Sequence, residues 1–256
     1  MTEETGETVT AVPLLSLGRW MWRCVGFGAS LWAAGLLLWA QQSSGASLDQ
    51  AALLFYDPLR HTHSRLVGAA RWLTSYGMPS ITLVYVVLLL LGSRFRRFAL
   101  PAGLYLLVIF SLGLSGIGGD LLKEVLARPR PMVAYAGEVL ALSQGATPAL
   151  PSGHATKSLA LALPLLVLAR GPSLFQRLVK VLVLIMALGV GFSRVVLGAH
   201  YVSDVLAGMG TALAGLPLAL FFANLLLRRI SPEKLPRLQM VWGLLLVVLT
   251  CLFVLM

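Results

Sequence analysis

Apolar runs near the length of a bilayer crossing recur along the chain from Trp22 to Met256, separated by short polar stretches. In lipid every backbone N–H and C=O must find its partner inside the protein, so a crossing run folds as a helix or as a strand of a closed barrel. Barrel strands alternate apolar and polar residues, and these runs do not. The expected fold is therefore all-α, a polytopic membrane helix bundle. Composition agrees: of 256 residues 58% are hydrophobic and 12% charged, about half the charged share of a soluble domain. The net charge of +10 is no sign of nucleic acid. The basic residues cluster at the ends of apolar runs, where they orient helices in a membrane.

Seven spans are expected. Residues 1–12 are polar and acidic (Glu3, Glu4, Glu7), and 1–18 form a disordered tail. The first span covers about 22–40 behind Arg19 and Arg23, uncleaved although Ser44-Gly45-Ala46 resembles a cleavage site. A long loop, 41–76, holds two short amphipathic helices, 49–56 and 65–73, separated by Asp57-Pro58. Trp72 and Tyr76 suit the membrane interface. His61 and His63 lack an accompanying Cys or carboxylate cluster and read as interfacial residues rather than a metal pair. The second span runs about 77–92 and stops at Arg94, Arg96 and Arg97. The third runs about 98–119, where Gly113, Gly116, Gly118 and Gly119 permit close helix approach. The others lie near 152–169, 181–192, 205–227 and 238–256, and Cys24 and Cys251, in the first and last spans, are not expected to pair. The chain thus divides into the tail, a membrane-embedded domain over 19–230, and a linker with an additional C-terminal helix over 231–256.

Three polar stretches interrupt this pattern: Lys123 to Pro131, Pro151 to His154, and Ser193 to Asp204. Ionisable residues near a membrane core persist where they pair, face a wet cavity or do chemistry. The first stretch follows span three, the second opens span four, and the third joins spans five and six, so all three lie on one side. Arg19, Arg23 and the basic connectors after spans two, four and six (Arg170, Arg177, Lys180, Arg228, Arg229, Lys234 and Arg237 among them) lie on the other. The positive-inside rule makes that second side cytoplasmic, and the polar stretches face the periplasm or exterior.

Each stretch has a chemical reading and a plain one. His200 and Asp204 are four apart, so on a helix they share a face, and a carboxylate on one imidazole nitrogen leaves the other as nucleophile or base. The same pair fits equally an interfacial loop whose charges meet water. Pro151-Ser152-Gly153-His154 opens a helix whose free N–H groups can bind an anion, with Gly153 admitting it closely and His154 placed to donate a proton; alone, it is also an ordinary cap by Ser152. Lys123 and Arg130 are seven apart, but Pro129 and Pro131 predict a helix ending near Ala127 followed by extended chain. Arg forks and Lys ammonium groups suit phosphate oxygens. The alternative, a basic cluster on anionic lipid, belongs on the cytoplasmic side.

Together, Lys123-(six residues)-Arg130-Pro131, Pro151-Ser152-Gly153-His154 and Ser193-Arg194-(five residues)-His200-(three residues)-Asp204 resemble the three-part signature of the type 2 phosphatidic acid phosphatase superfamily, complete and in order. The similarity in span layout runs from about 20 to 227, and the seventh span departs from the family's six-helix core. The resemblance implies a membrane lipid phosphatase in which His200 attacks phosphorus and becomes phosphohistidine, oriented by Asp204. His154 would protonate the leaving alkoxide and then activate water. Lys123, Arg130 and Arg194, helped by Ser152 and the Gly153 N–H, would hold the equatorial oxygens. Fixed cations would do what a metal does elsewhere, so no metal and no cofactor is implied.

The implied partners are the bilayer and a phosphorylated membrane lipid: undecaprenyl diphosphate, phosphatidylglycerol phosphate, phosphatidate or lipid A. Transfer to an acceptor lipid instead of water stays open. An anion or lipid transporter fits less well, because the charges lie at span ends and no repeat is visible. Two further residues are candidates for a second phosphate or polar headgroup. Lys157, one turn beyond His154, either contacts that group or snorkels to the interface. Arg128 either contributes likewise or is an exposed loop arginine.

Overall fold

The structure is a computed structural model and describes residues 14–16, 18–41, 47–62, 64–95, 98–142, 145–168 and 174–255. Most of the acidic tail, Ser44-Gly45-Ala46, His63, Arg96, Arg97 and Arg170 lie outside the described residues. The described residues form α1 (Arg19–Ala40), α2 (Leu48–His61), α3 (Arg65–Arg94), α4 (Ala102–Leu126), a short α5 (Pro131–Ala134), α6 (Gly153–Leu168), α7 (Leu174–Val196), α8 (Val202–Leu227) and α9 (Leu235–Leu255), with no strand among them. Six of these elements are long and apolar enough to cross a membrane.

The remaining span, α6, is the organising element. Its 16 residues extend roughly 24 Å at 1.5 Å per residue, short of a bilayer core of about 30 Å. It has little need to meet lipid, because α3, α4, α7 and α8 pack around it and every residue from Ala155 to Leu165 except Lys157 is buried. Its polar start is enclosed in the bundle, with Ser152 fully buried. Tyr85 donates to the Leu161 carbonyl at 2.7 Å and Tyr105 to the Tyr85 carbonyl at 3.1 Å, so these two buried hydroxyls are paired rather than stranded.

Three expectations need correction. The segment 65–73 is no separate interfacial helix; it continues through Pro79 into the second span as the 30-residue α3. Nor does Asp57-Pro58 end the preceding helix, which runs on to His61. Asp57 there accepts hydrogen bonds from Arg60 at 3.2 Å and from the Leu140 N–H at 2.9 Å, so tertiary contacts hold a turn that local propensity disfavours. Of the four α4 glycines, Gly113 and Gly118 do not bring helices together, since a Cβ there would meet open space, whereas a Cβ at Gly119 would be in contact with Thr156 of α6 at 3.8 Å. Close approach occurs where α1 crosses α8: a Cβ at Gly28 would lie 3.0 Å from the Gly210 carbonyl oxygen, and one at Gly210 2.7 Å from that of Gly28. Cys24 and Cys251 are both free thiols. The seventh span, α9, lies against α3 and α4, tied by a Thr82–Thr250 hydrogen bond of 2.8 Å.

Candidate active site

The local sequence Ser193-Arg194-Val195-Val196-Leu197-Gly198-Ala199-His200 ends α7 in a way that turns His200 back under it. Gly198 adopts φ +69°, a left-handed conformation that costs glycine little. The Leu197 N–H then donates to the Ser193 carbonyl at 3.0 Å and the Ala199 N–H to that of Arg194 at 2.9 Å. His200 is buried, with Nδ1 3.3 Å from Asp204 Oδ2. The pair does not share a helical face, as the spacing suggested, because His200 precedes the Tyr201 cap of α8. Asp204 reaches it as the third residue of α8, where the same carboxylate oxygen accepts the Tyr201 N–H at 2.9 Å. Burial pushes the His200 imidazole well below the ordinary histidine range, and the charges of Arg130, Arg194 and Lys123 push the same way. This favours the neutral ring, against the opposite effect of a hydrogen bond with the Ala149 backbone, and Nδ1 is the ring nitrogen that faces Asp204.

The start of α6 is fixed to α8 beside it. The Ser152 N–H donates to the Asp204 carbonyl at 2.9 Å, and Thr156 Oγ1 donates to the Ser152 carbonyl at 2.9 Å. A Cβ at Gly208 would lie 2.6 Å from the Ser152 carbonyl oxygen, so glycine on α8 is what lets the turn settle there. Ser152 Oγ is buried without a hydrogen-bond partner. A Cβ at Gly153 would meet Lys123 Nζ at 3.2 Å, which places the ammonium directly over the helix start.

Lys123, Arg130 and Arg194 are each held by a polar neighbour. Lys123, in the last turn of α4, lies 3.1 Å from Asp120. The helix ends where predicted, at Ala127 in the left-handed region, and the two prolines keep the next residues extended. Arg130 donates through Nε to the Thr147 carbonyl at 2.6 Å and through its guanidinium to Thr147 Oγ1 at 3.1 Å. Arg194 donates to Thr74 Oγ1 at 3.1 Å, and Thr74 is 2.8 Å from Ser193 Oγ. Lys123, Arg130, Gly153, His154, Lys157, Arg194 and His200 line a single cavity of about 330 Å³, which Asp120 and Thr147 also border.

Arg128 is placed differently from either expectation. It is neither an exposed loop arginine nor part of that cavity lining: 1% exposed, it bonds Asp204 Oδ1 and Ser203 Oγ at 2.6 Å each and Asp49 Oδ2 at 2.9 Å. Asp49, Thr74 and Thr147 were not found in the sequence. Thr74 and Thr147 carry no local signal, whereas Asp49 follows the Ser47 cap of an amphipathic helix and looks there like an ordinary first-turn acid. His61 is exposed and pairs with Asp57 at 3.3 Å, away from the cavity.

Residues 104–229, which carry all three polar stretches, match the family model of the PAP2 superfamily. The chain belongs to that superfamily. Among its PAP2 relatives, it is 29% identical to the undecaprenyl-diphosphatase BcrC of Bacillus subtilis over 60% of this chain and 74% of BcrC. It is 29% identical to phosphatidylglycerophosphatase B of the same organism, over 71% of this chain and 84% of that protein. The fold is that of the crystal structure of a transmembrane PAP2 type phosphatidylglycerolphosphate phosphatase from Bacillus subtilis, with a TM-score of 0.51, 24% identity, and coverage of 76% of this chain and 94% of that one. The chain is thus a multi-pass member of a family of membrane lipid phosphatases.

Proposed function

We propose that this PAP2 protein hydrolyses a phosphorylated membrane lipid, a phosphomonoester or a diphosphate, through a phosphohistidine on His200, with no metal ion, at the outer face of a bacterial cytoplasmic membrane. The observation that carries the reading is one cavity holding Lys123, Arg130 and Arg194 together with His154 and a neutral His200. In the first step His200 Nε2 forms a bond to phosphorus while the bond from phosphorus to the lipid oxygen breaks, and His154 gives that oxygen a proton. In the second, His154 takes a proton from water, whose oxygen displaces His200 and releases phosphate. Lys123, Arg130 and Arg194, with the N–H groups opening α6, stabilise the charge on the three equatorial oxygens in both steps. Both relatives named above act on lipids with a terminal phosphate, which supports undecaprenyl diphosphate and phosphatidylglycerol phosphate as the first substrates to test.

A transporter is disfavoured because the polar groups cluster at helix ends: Lys123 in the last turn of α4, Arg194 in that of α7, His154 and Asp204 in the first turns of α6 and α8. The outward orientation is supported by Arg94, Arg177, Lys180, Arg228 and Arg229, which lie near the opposite helix ends. A reporter fused after Arg97 is expected to read as cytoplasmic, and an external reading overturns the orientation. The deciding measurement is phosphate release by purified protein in detergent with chelator present, from undecaprenyl diphosphate, phosphatidylglycerol phosphate, phosphatidate and lipid A. Release that vanishes in His200→Ala is expected. No release from any of the four, with a labelled phosphohistidine still trapped, would mean transfer to an acceptor lipid instead.

A further inference from the structure

Three buried charged groups lie behind the nucleophile: Asp49 on α2, Arg128 after α4, and Asp204 on α8. Asp49 is 0% exposed and comes from outside the three polar stretches. Its carboxylate accepts Arg128 at 2.9 Å and the Ser203 N–H at 2.9 Å, and it also takes the Ser203 hydroxyl. The other arm of Arg128 bonds Asp204 at 2.6 Å, and its guanidinium covers the Tyr201 ring at 3.9 Å from the centroid. A continuous line of contacts therefore runs from Asp49 through Arg128 and Asp204 to His200 Nδ1.

The charges on this line explain why a second carboxylate is present. When His200 attacks phosphorus, its ring acquires positive charge, and only Asp204 is placed to offset it; Lys123, Arg130 and Arg194 face the phosphate. Arg128 paired with Asp204 alone would form a neutral couple, with nothing left for the ring. Asp49 takes up the charge of Arg128, and the three groups together retain one net negative charge beside His200. In a buried setting such compensation is strong because no water screens it.

We propose that Asp49 is a positioning residue for the phosphoryl-transfer step, acting through Arg128 to keep the Asp204 carboxylate available to His200. The inference rests on the reading of His200 as nucleophile. It assigns the interfacial helix α2 a role in the chemistry, although none of its residues lines the cavity.

The test is a mutant cycle of Asp49→Asn, Arg128→Met and the double variant, read as the single-turnover rate of phosphohistidine formation. Burst amplitude counts the active sites, so misfolded protein does not enter the rate. Asp49→Asn keeps an acceptor for the Ser203 N–H. It is expected to slow the step about tenfold or more with KM little changed, as outer partners of functional histidines do when removed. In the Arg128→Met background the same change is expected to have no effect, because the route to Asp204 is already gone. An Asp49→Asn rate equal to wild type, or an equal loss in both backgrounds, overturns the proposal. Should Asp49→Asn fail to fold, Asp49→Ser takes its place in both backgrounds: a loss in the wild-type background and none beside Arg128→Met supports the proposal, and no loss in the first or an equal loss in both overturns it. Wild-type protein that releases phosphate without any phosphohistidine would instead sink the reading of His200.

Discussion

His200 Nδ1 and Asp204 Oδ2 meet at 3.3 Å across the boundary between a loop and a helix. One carboxylate oxygen both caps the start of α8 through the Tyr201 N–H and faces the imidazole, so helix geometry and ring orientation are set by the same group. Asp204→Asn retains the volume but not the charge. The expected result is a kcat loss on the order of 10³–10⁴-fold, as when an orienting carboxylate is neutralised in a hydrolase triad. KM should change little, and His200→Ala should abolish phosphohistidine altogether. A loss confined to KM would place Asp204 in substrate binding instead.

With His200 as the proposed nucleophile, the acid limb of kcat/KM should report its titration in the free enzyme. The reactive form is neutral, and burial together with Arg130, Arg194 and Lys123 holds the ring well below the histidine range, against the opposing effect of a hydrogen bond with the Ala149 backbone. Activity should therefore persist as pH falls through about 6.5, the ordinary histidine midpoint, and decline only below it. Arg130→Gln removes one of the depressing charges, so the midpoint should rise while the substrate's own titration stays where it was. An unchanged midpoint in that variant would mean the limb belongs to another group.

Lys157 borders the cavity one turn from His154, with Asp120 and Lys123 near it. A monoester phosphate is already matched by Lys123, Arg130 and Arg194. A further cation is useful to a substrate with a second phosphate. Lys157→Ala should slow hydrolysis of undecaprenyl diphosphate roughly 10–100-fold more than that of phosphatidate, the worth of a charge-assisted hydrogen bond. Equal slowing of both would leave Lys157 as a packing or interfacial residue.

Sequence periodicity located every span to within a few residues at most ends, because a bilayer imposes the same length and polarity rule on each run. The residues that the structure gathers around one cavity were legible for a related reason: His154, His200, Lys123, Arg130 and Arg194 are costly in an apolar chain, and their spacing matches a known signature. What supports them was not. Thr74 was assigned to a loop and lies in a continuous α3, and its contact with Arg194 spans 120 positions in sequence, beyond any local pattern. Arg128 was misread because two prolines beside an arginine suggest an exposed loop, and its partner Asp49 lies 79 residues away. Two of the α4 glycines, Gly113 and Gly118, were misassigned as well. A helix turns them to different sides, and composition does not say which side meets a neighbour.

Gly208 shows how tightly the second motif depends on a residue outside it. A Cβ there would lie 2.6 Å from the Ser152 carbonyl oxygen and 3.0 Å from Thr156 Oγ1. The nearer obstacle is backbone, which no rotamer change can move. Gly208→Ala must therefore push the start of α6 away from α8, or be accommodated by a shift of α8 itself. Overpacking of this kind costs about 1–3 kcal/mol, visible as a lower unfolding temperature in detergent. The shift also displaces Ser152 and His154 relative to His200, so the variant should lose activity even at temperatures where it is fully folded. Gly113→Ala is the matched control, because its Cβ meets open space and replacing a mid-helix glycine by alanine is worth roughly 0.5–1 kcal/mol in helix stability. Its activity should equal wild type. If both variants kept full activity, the contact between α8 and the Ser152 turn would play no part in aligning the two histidines.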